Sequence, residues 1–511
     1  MLPPGLQPFA APLLAASALI ALACAIIYGL QRRQQARIRA LPPGPAPTWS
    51  GTWLPARDRF RYIYDLSKQF GPLVTIWYGT TPTVVCNNYA TAENILEKSA
   101  RDTTDRPFTV AALPHLWGKR PLFVPYGERW RRLRKALGAA LAPSAARHIR
   151  VTQEKTGRDL IQDILAEPDK FAEHINTYAA TLVVNIAYGR TDRARYSDPD
   201  IALNLQYGDR LGKVLLPGTF WIQSFPWLRH VPGYMRTIQG WADDEINLFR
   251  GELAKVQDRL ARGAPQPPCF ATYLLEHQKE LQLSFDEIAS LCGSVFAAGS
   301  ETTSAALAFL VMSAACSPAA QKRVQVELDE AFGDSPPTFD EIAESDTFPL
   351  LRAFIAESFR WRPVSASGFT HKSTADISYN GYVFPAGTHF VGNHWAISRD
   401  EEYFGPDVEE FVIDRWLEKD AEGVRLKPKM KTVQFGFGRR VCPGQHVGYN
   451  SVLINAALLL WSFDMRKKVD MQGKEVEIDT FAFTNTMNVH PLAYQVQFTP
   501  RHKNLDVLLE N

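Results

Sequence analysis

The stretch "FGFGRRVCPGQH", residues 435–446, sets one cysteine among glycines at 436, 438 and 444, two arginines and a proline, and an apolar run, "VGYNSVLINAALLLW", follows it. A thiolate is the metal-binding form of cysteine, and its charge has to be held. Pro443 suits the first position of a helix. That would put Cys442 at a helix N-terminus, where backbone N–H groups and the dipole favour negative charge. The glycines let backbone approach a large flat ligand, and Arg440 offers a planar fork to an anionic substituent. A thiolate with a flat, anionic partner is what a haem site needs.

The rest of the chain sets limits on that reading. It has 511 residues, 46% hydrophobic and 22% charged, which is ordinary globular composition with ample material for a core. A net charge of +2 gives no global nucleic-acid signal, so no nucleic-acid partner is expected. Six cysteines (Cys24, Cys86, Cys269, Cys292, Cys316, Cys442) are scattered without CxxC or zinc-ligand spacing. They read as free thiols in a reducing compartment. Residues 9–30 carry no charge, and Arg32, Arg33, Arg37 and Arg39 follow. About 20 apolar residues cross a bilayer as a helix, and the arginines place the following chain on the cytosolic side. The expectation is an N-terminal membrane anchor over residues 1–30, then a basic segment and proline-rich hinge over 31–47. A single catalytic domain follows over 48–511.

Within that domain "LVTIWYGTTPTVVC", 73–86, alternates around a turn and predicts a hairpin. From about residue 91 to 310 the pattern is helical, punctuated by prolines. After Arg360 short strands return, with Asn380-Gly381 as a hairpin turn. The fold class is mainly α with small β-sheets (α+β), built around one long central helix. That helix is predicted over 284–317. Ser284 and Glu287 form a capping box at its start, and its length is apolar almost all round, so it should run through the core. In its middle lies "AGSETT", 298–303, where a glycine is costly and the ionisable Glu301 more so. Alone, this reads as a helix bulge with a satisfied Ser/Thr cluster. "ESFR", 357–360, puts Glu357 and Arg360 on one helix face, and alone reads as a surface ion pair worth little. Arg415, among apolar residues in "FVIDRW", would make the pair a charge-assisted network if all three were buried.

These pieces resemble one family. Phe435, Gly438, Arg440, Cys442 and Gly444 match the FxxGxRxCxG signature of the cytochrome P-450 haem-thiolate proteins. "AGSETT" is similar to their oxygen-activation motif, Glu357 and Arg360 to their ExxR pair, Arg415 to its third member, and "WRRLR", 130–134, to their WxxxR helix. The resemblance covers nearly everything after Pro42, and the anchor resembles that of microsomal members.

The resemblance implies a monooxygenase with haem b, whose iron Cys442 would ligate. A thiolate ligand pushes electron density to the iron and favours O–O cleavage. It implies Trp130, Arg134, His371 and Arg440 as holders of the haem propionates; the loop around His371 departs from the family's Pro-rich spacing. Glu301 and Thr302 would deliver protons during dioxygen activation, and the Glu357/Arg360/Arg415 network would support the cysteine loop. No dinucleotide motif follows a strand, and about 70 residues after Cys442 are too few for a flavin domain. NADPH electrons must therefore arrive through a partner, an NADPH-cytochrome P-450 reductase, with a small haem electron carrier as a second candidate. Arg129, Arg131, Arg132 and Lys135, with Lys427, Lys429, Lys431 and Arg439, suggest a basic docking face for it. The aromatic segment 220–235 suits either a membrane-dipping entry lip or internal packing. Pocket lining is expected from 108–117, Phe296, Ala298, 364–369 and 483–486, for a small lipophilic substrate of terpenoid or polyketide type. "PAGTHFVGNHWAISRD", 385–400, resembles fungal members that tailor secondary metabolites, and the microsomal-type anchor implies the endoplasmic reticulum membrane with the catalytic domain facing the cytosol. Two alternatives stand beside this: an oxygen-independent rearrangement or dehydration, and a non-catalytic membrane haem protein.

Overall fold

The computed structural model describes residues 41–510, apart from 49–50, 80, 117–119, 196, 216–218, 224, 265–266, 344–346, 422 and 429. The expected transmembrane span at 9–30 and the basic segment at 31–40 lie outside the described residues. The proline-rich segment, expected as a hinge, is docked where it starts. Pro43 O accepts Thr75 N–H at 3.0 Å, and the Thr75 hydroxyl donates to Pro42 O at 2.7 Å. Gly44 allows this, since a Cβ there would lie 2.1 Å from Thr75 O.

The chain runs α1 (Arg59–Phe70), β1 (Leu73–Tyr78), β2 (Thr81–Cys86), α2 (Glu128–Leu141), α3 (Pro143–Ala166), α4 (Phe171–Tyr188), α5 (Pro199–Leu215), α6 (Arg236–Ala261), α7 (Phe285–Cys316), α8 (Pro318–Phe332) and α9 (Pro349–Trp361). Strands return as β3 (His371–Lys372), β4 (Ile377–Tyr379), β5 (Tyr382–Phe384), β6 (His389–Gly392), β7 (Leu417–Asp420) and β8 (Gly423–Leu426); then come α10 (Gln445–Ser462), β9 (Phe463–Lys467) and β10 (Val496–Pro500). The mainly helical fold with small sheets is as expected. The predicted hairpin is β1–β2, antiparallel from Leu73↔Cys86 to Tyr78↔Thr81. It continues into a sheet of order β1-β2-β6-β3, with β6 parallel to β2. Asn380 and Gly381 join β4 to β5 with φ of 50° and 78°, the two positive values such a two-residue turn requires.

The central helix α7 begins at the predicted capping box and is buried among α4, α5, α6, α9 and α10. Its glycines set the packing. A Cβ on Gly293 would lie 2.2 Å from the Phe249 ring, and one on Gly299 2.5 Å from Val183 Cγ1. Glycine in a helix interior costs about 1 kcal/mol against alanine. Here it lets α6 and α4 close on α7. The expected bulge or loosened turn at Gly299 is absent, because α7 is α-helical from Phe285 to Cys316.

Candidate functional site

The cysteine loop is built by backbone. Cys442 N–H donates to Phe435 O at 2.9 Å, and Gly436 and Gly438 inside the loop take φ of 78° and 59°. A Cβ on Gly438 would lie 2.5 Å from Leu96 O, and its N–H donates to Glu97 Oε2 at 2.5 Å. α10 starts only at Gln445, with Gly444 as its cap. Cys442 therefore stands ahead of the helix, not in its first turn. Burial pushes the thiol up, and the Gly444 N–H and the Arg134 charge oppose this without reversing it. The Gly444 N–H at the cap of α10 is the helix-terminus donor that favours the thiolate, and the Arg134 charge adds to it. The thiol is half-buried and free; Cys316 is likewise half-buried and free, and Cys86, Cys269 and Cys292 are free and buried.

Around it lies an excess of positive charge. Trp130 and Arg134 sit one turn apart on α2, and Arg134 Nη2 donates to Val441 O at 2.7 Å, tying the helix to the loop. Arg440 stacks 4.7 Å from the Trp130 ring centroid and donates to the carbonyls of Thr104, Pro121 and Val124 at 2.7–2.8 Å. Burial lowers its pKa to about 10. His371 Nδ1 lies 2.8 Å from Thr103 O, and burial, then the Arg106 charge, hold its pKa well below the ordinary value. As a neutral ring donating from Nδ1 it keeps only a lone pair on Nε2. It becomes a second donor when an adjacent anion restores its charge.

Arg106 is the member the sequence reading missed, for want of any motif around it. Burial, then repulsion from Arg440, lower its pKa to about 9, and its Nε has no partner among the described residues. Asp105 is the neighbouring carboxylate, but its Oδ1 takes the Tyr126 N–H at 2.8 Å and its Oδ2 lies 3.6 Å from Lys372 Nζ. Buried charge without a counter-charge is costly. Arg106, Arg134 and Arg440 together fit a ligand that brings carboxylates of its own, and with the free thiol the residues fit a haem.

The central helix is bare where such a ligand needs room. In the middle of the core-spanning α7, Ala298 is exposed, flanked by half-buried Ala297, Glu301 and Thr302. The Thr302 hydroxyl donates to Ala298 O at 2.7 Å, leaving its oxygen lone pairs available. Glu301 turns toward α5 and the C-terminal loop. A Cβ on Gly208 would lie 2.5 Å from Glu301 Oε2, Asn488 Nδ2 donates to the same oxygen at 3.5 Å, and His490 Nε2 is 3.7 Å from Oε1. Asn488 and His490 carried no sequence signal either.

The ExxR pair is no surface bridge. Glu357 and Arg360 side chains are 0% exposed. The carboxylate accepts five N–H groups: Arg360 Nε and Nη2 at 2.7 Å, Arg415 Nε at 3.0 Å, and Val412 N and Trp416 Nε1 at 2.8 Å. Arg360 also donates to the carbonyls of Ser398, Val408 and Glu410. All three residues meet, and they knot α9 to the segment that leads into the cysteine loop.

A cavity of about 470 Å³ opens between α1, the β1–β2–β6 edge, α5 and the C-terminal loop. Phe108, Thr109 and Val110, then Ser367, Gly368 and Phe369, and then Asn485 and Thr486 line it as expected. Phe296 does not, being packed edge-on against Tyr188 in the core. Phe483 and Val364 are core residues as well, and Trp117 lies outside the described residues. Of the basic residues, Arg129 and Arg132 are tied to Glu287 at 2.7 and 2.9 Å, and Lys427 to Arg415 O. Arg131, Lys135, Lys431 and Arg439 are exposed. Arg131 and Arg439 each lie 5.7 Å from the Tyr126 ring centroid, which brings the two sequence clusters onto one face; Lys429 lies outside the described residues.

A model of the family described as cytochrome P-450 matches residues 42–496. The chain is 40% identical over 494 residues to cytochrome P-450 monooxygenase 88 of Postia placenta, covering 96% of this chain and 97% of that one. It is 41% identical over 491 residues to monooxygenase 113 of the same fungus, covering 95% and 97%. It is 32% identical over 483 residues to a cytochrome P-450 monooxygenase of Armillaria gallica, covering 92% and 93%.

Proposed function

Because the chain belongs to the cytochrome P-450 family and so is a haem-thiolate monooxygenase, we propose that it hydroxylates a small lipophilic substrate in fungal secondary metabolism, held on the endoplasmic reticulum membrane by residues 1–30 and fed by an NADPH-dependent reductase. The observation that carries the site assignment is the free Cys442 thiol beside the uncompensated Arg106, Arg134 and Arg440. The haem, when bound, supplies the iron at which dioxygen is activated and one oxygen atom is transferred. Cys442 is its ligand. Arg134 and Arg440 hold its carboxylates, with Trp130 stacked beneath Arg440 and His371 alongside. Thr302, bonded back to Ala298 O, accepts and passes protons at its hydroxyl oxygen. Glu301 supplies them, and Gly208 leaves the space in which its carboxylate sits. Glu357, Arg360 and Arg415 fix the approach to the cysteine loop and touch no substrate.

The exposed Arg131, Lys135, Lys431 and Arg439 support docking of an acidic reductase. The segment 220–235 is two-sided, with Phe220, Leu228 and Met235 packed inward while Trp221 and Trp227 are 60% and 62% exposed. That bare side, near the cavity-lining Pro226 and Gln223, supports contact with lipid at the cavity mouth. The absorption spectrum of dithionite-reduced protein with carbon monoxide tests the site. A strongly red-shifted Soret band, lost in Cys442→Ala, is expected. Retention of that band in the variant would overturn the assignment. Incubation with reductase, NADPH and a panel of terpenoids and polyketides tests the substrate class. NADPH consumption that no panel member stimulates would refute it.

A further inference from the structure

We propose that His490 is the proton inlet of the site: its ring takes protons from solvent and passes them to Glu301. This rests on reading Glu301 as the source of the protons that Thr302 passes on, and it names the group that refills it.

A carboxyl group that gives up its proton must be recharged before it can act again. Glu301 lies on the core-spanning α7, with only 18% of its side chain exposed. Both of its oxygens are met from the loop 483–491. Asn488 Nδ2 donates to Oε2 at 3.5 Å, and His490 Nε2 lies 3.7 Å from Oε1. The His490 side chain is 26% exposed, so the ring that faces the carboxylate also reaches water. Histidine is the side chain suited to taking and giving a proton near neutral pH. Contacts of this kind are often long before ligands bind and shorten in the working complex.

The loop holds the ring in place. His490 N–H donates to Thr484 Oγ1 at 2.9 Å, and Thr484 N–H donates to His490 O at 2.9 Å. Val489 N–H donates to Val364 O at 2.8 Å, which fixes the loop to the body. The Ser365 hydroxyl donates to Asn488 Oδ1 at 2.7 Å and so turns the amide NH2 toward Glu301. Among the described residues no other cation lies within ion-pair distance of Glu301. Lys213 lies 3.4 Å from Asp209 on α5, and Arg57 Nη2 donates to Phe483 O at 3.5 Å. In the transfer the Nε2–H bond of the imidazolium breaks and an Oε1–H bond forms. The neutral ring takes its replacement proton from water.

The first readout follows Glu301 without turnover. Ferric, full-length holoprotein is taken through a rapid drop in pH, and the carboxyl infrared band that Glu301→Gln removes is followed in time. His490→Gln keeps a donor for Oε1 but cannot take up a proton; His490→Ala removes both. A positioned acid–base group is worth about a hundredfold or more, so protonation of Glu301 should slow by at least about tenfold in both variants. An unchanged rate in His490→Gln, or a rate that His490→Gln restores after its loss in His490→Ala, would assign the ring a structural role and overturn the proposal. Should His490→Ala fail to fold, His490→Gln alone decides. The second readout is dioxygen consumption with reductase and NADPH, which draws protons whether or not a substrate is oxidised. It should fall alike in Glu301→Gln and His490→Gln. A fall in Glu301→Gln alone would overturn the inlet and leave Glu301 as the donor. No fall in either variant would remove Glu301 from proton delivery, and the inlet with it.

Discussion

Replacing Glu357 by glutamine keeps the shape of the side chain and removes one charge from a fully enclosed network. The wild-type carboxylate accepts five N–H groups, three of them from two guanidinium groups. The amide presents one acceptor oxygen, and its NH2 turns toward donors. Two buried cations, Arg360 and Arg415, lose their counter-charge. Breaking a buried pair in this way costs about 3–5 kcal/mol. Unfolding entropy of about 2 cal/mol/K per residue amounts to roughly 1 kcal/mol/K for a chain of this size, so the melting temperature should fall by about 3–5 °C. Lys68 and Asp65 provide the control. They are spaced i, i+3 at 2.9 Å like the buried pair, but with 59% and 64% of their side chains exposed. Lys68→Ala should cost no more than about 0.5 kcal/mol, a shift within the error of the measurement. Holoprotein unfolding followed in parallel by far-UV circular dichroism and the Soret band reads both. In Glu357→Gln the haem band should be lost at or before global unfolding, because the network leads into the cysteine loop. If Glu357→Gln and Lys68→Ala melted within about 1 °C of each other, the idea that burial converts this pair from decoration to structure would be refuted.

Thr302→Ala should leave haem content and substrate binding intact while product formed per NADPH falls by at least about tenfold, as general acid–base contributions of this kind warrant; gas-chromatographic product yield against NADPH consumption checks it. Gly208→Ala should lower turnover through Glu301 alone, since the added methyl would sit 2.5 Å from Oε2 and displace the carboxylate. Unchanged kcat would show that the Glu301 position is irrelevant. Charge reversal at Arg131 and Lys135 should raise the KM for reductase, most at low ionic strength, whereas Arg129→Glu should destabilise the fold through Glu287; reductase titrations and melting curves distinguish them. Burial lowers the His394 pKa to about 4 against an ordinary 6.5. The unfolded chain therefore binds the extra proton first, and stability is lost as pH falls from about 6.5 toward 4. Roughly 2 kcal/mol should go by pH 5. Urea titrations at pH 7 and 5 should show a drop that His394→Gln reduces.

What the sequence by itself determined was local. The capping box at Ser284, the Asn380-Gly381 turn and the β1–β2 hairpin follow from backbone rules that act within a few residues. The cysteine signature and the order of the weaker motifs along the chain were enough to identify the family. Partnership between distant side chains was decided only by the tertiary structure. Glu357 and Arg360 look the same in sequence whether they lie in solvent or in the core; burial with Arg415 and Trp416 sets their worth. Arg129 and Arg132 look like docking charges until Glu287, from the start of the central helix, is seen between them. Gly299 looks like a helix bulge until Val183 is found against it. Arg106 has no signature, because only its burial beside Arg440 and His371 marks it. Electrostatic and packing energies depend on what surrounds a group in space, and those surroundings come from residues hundreds of positions away.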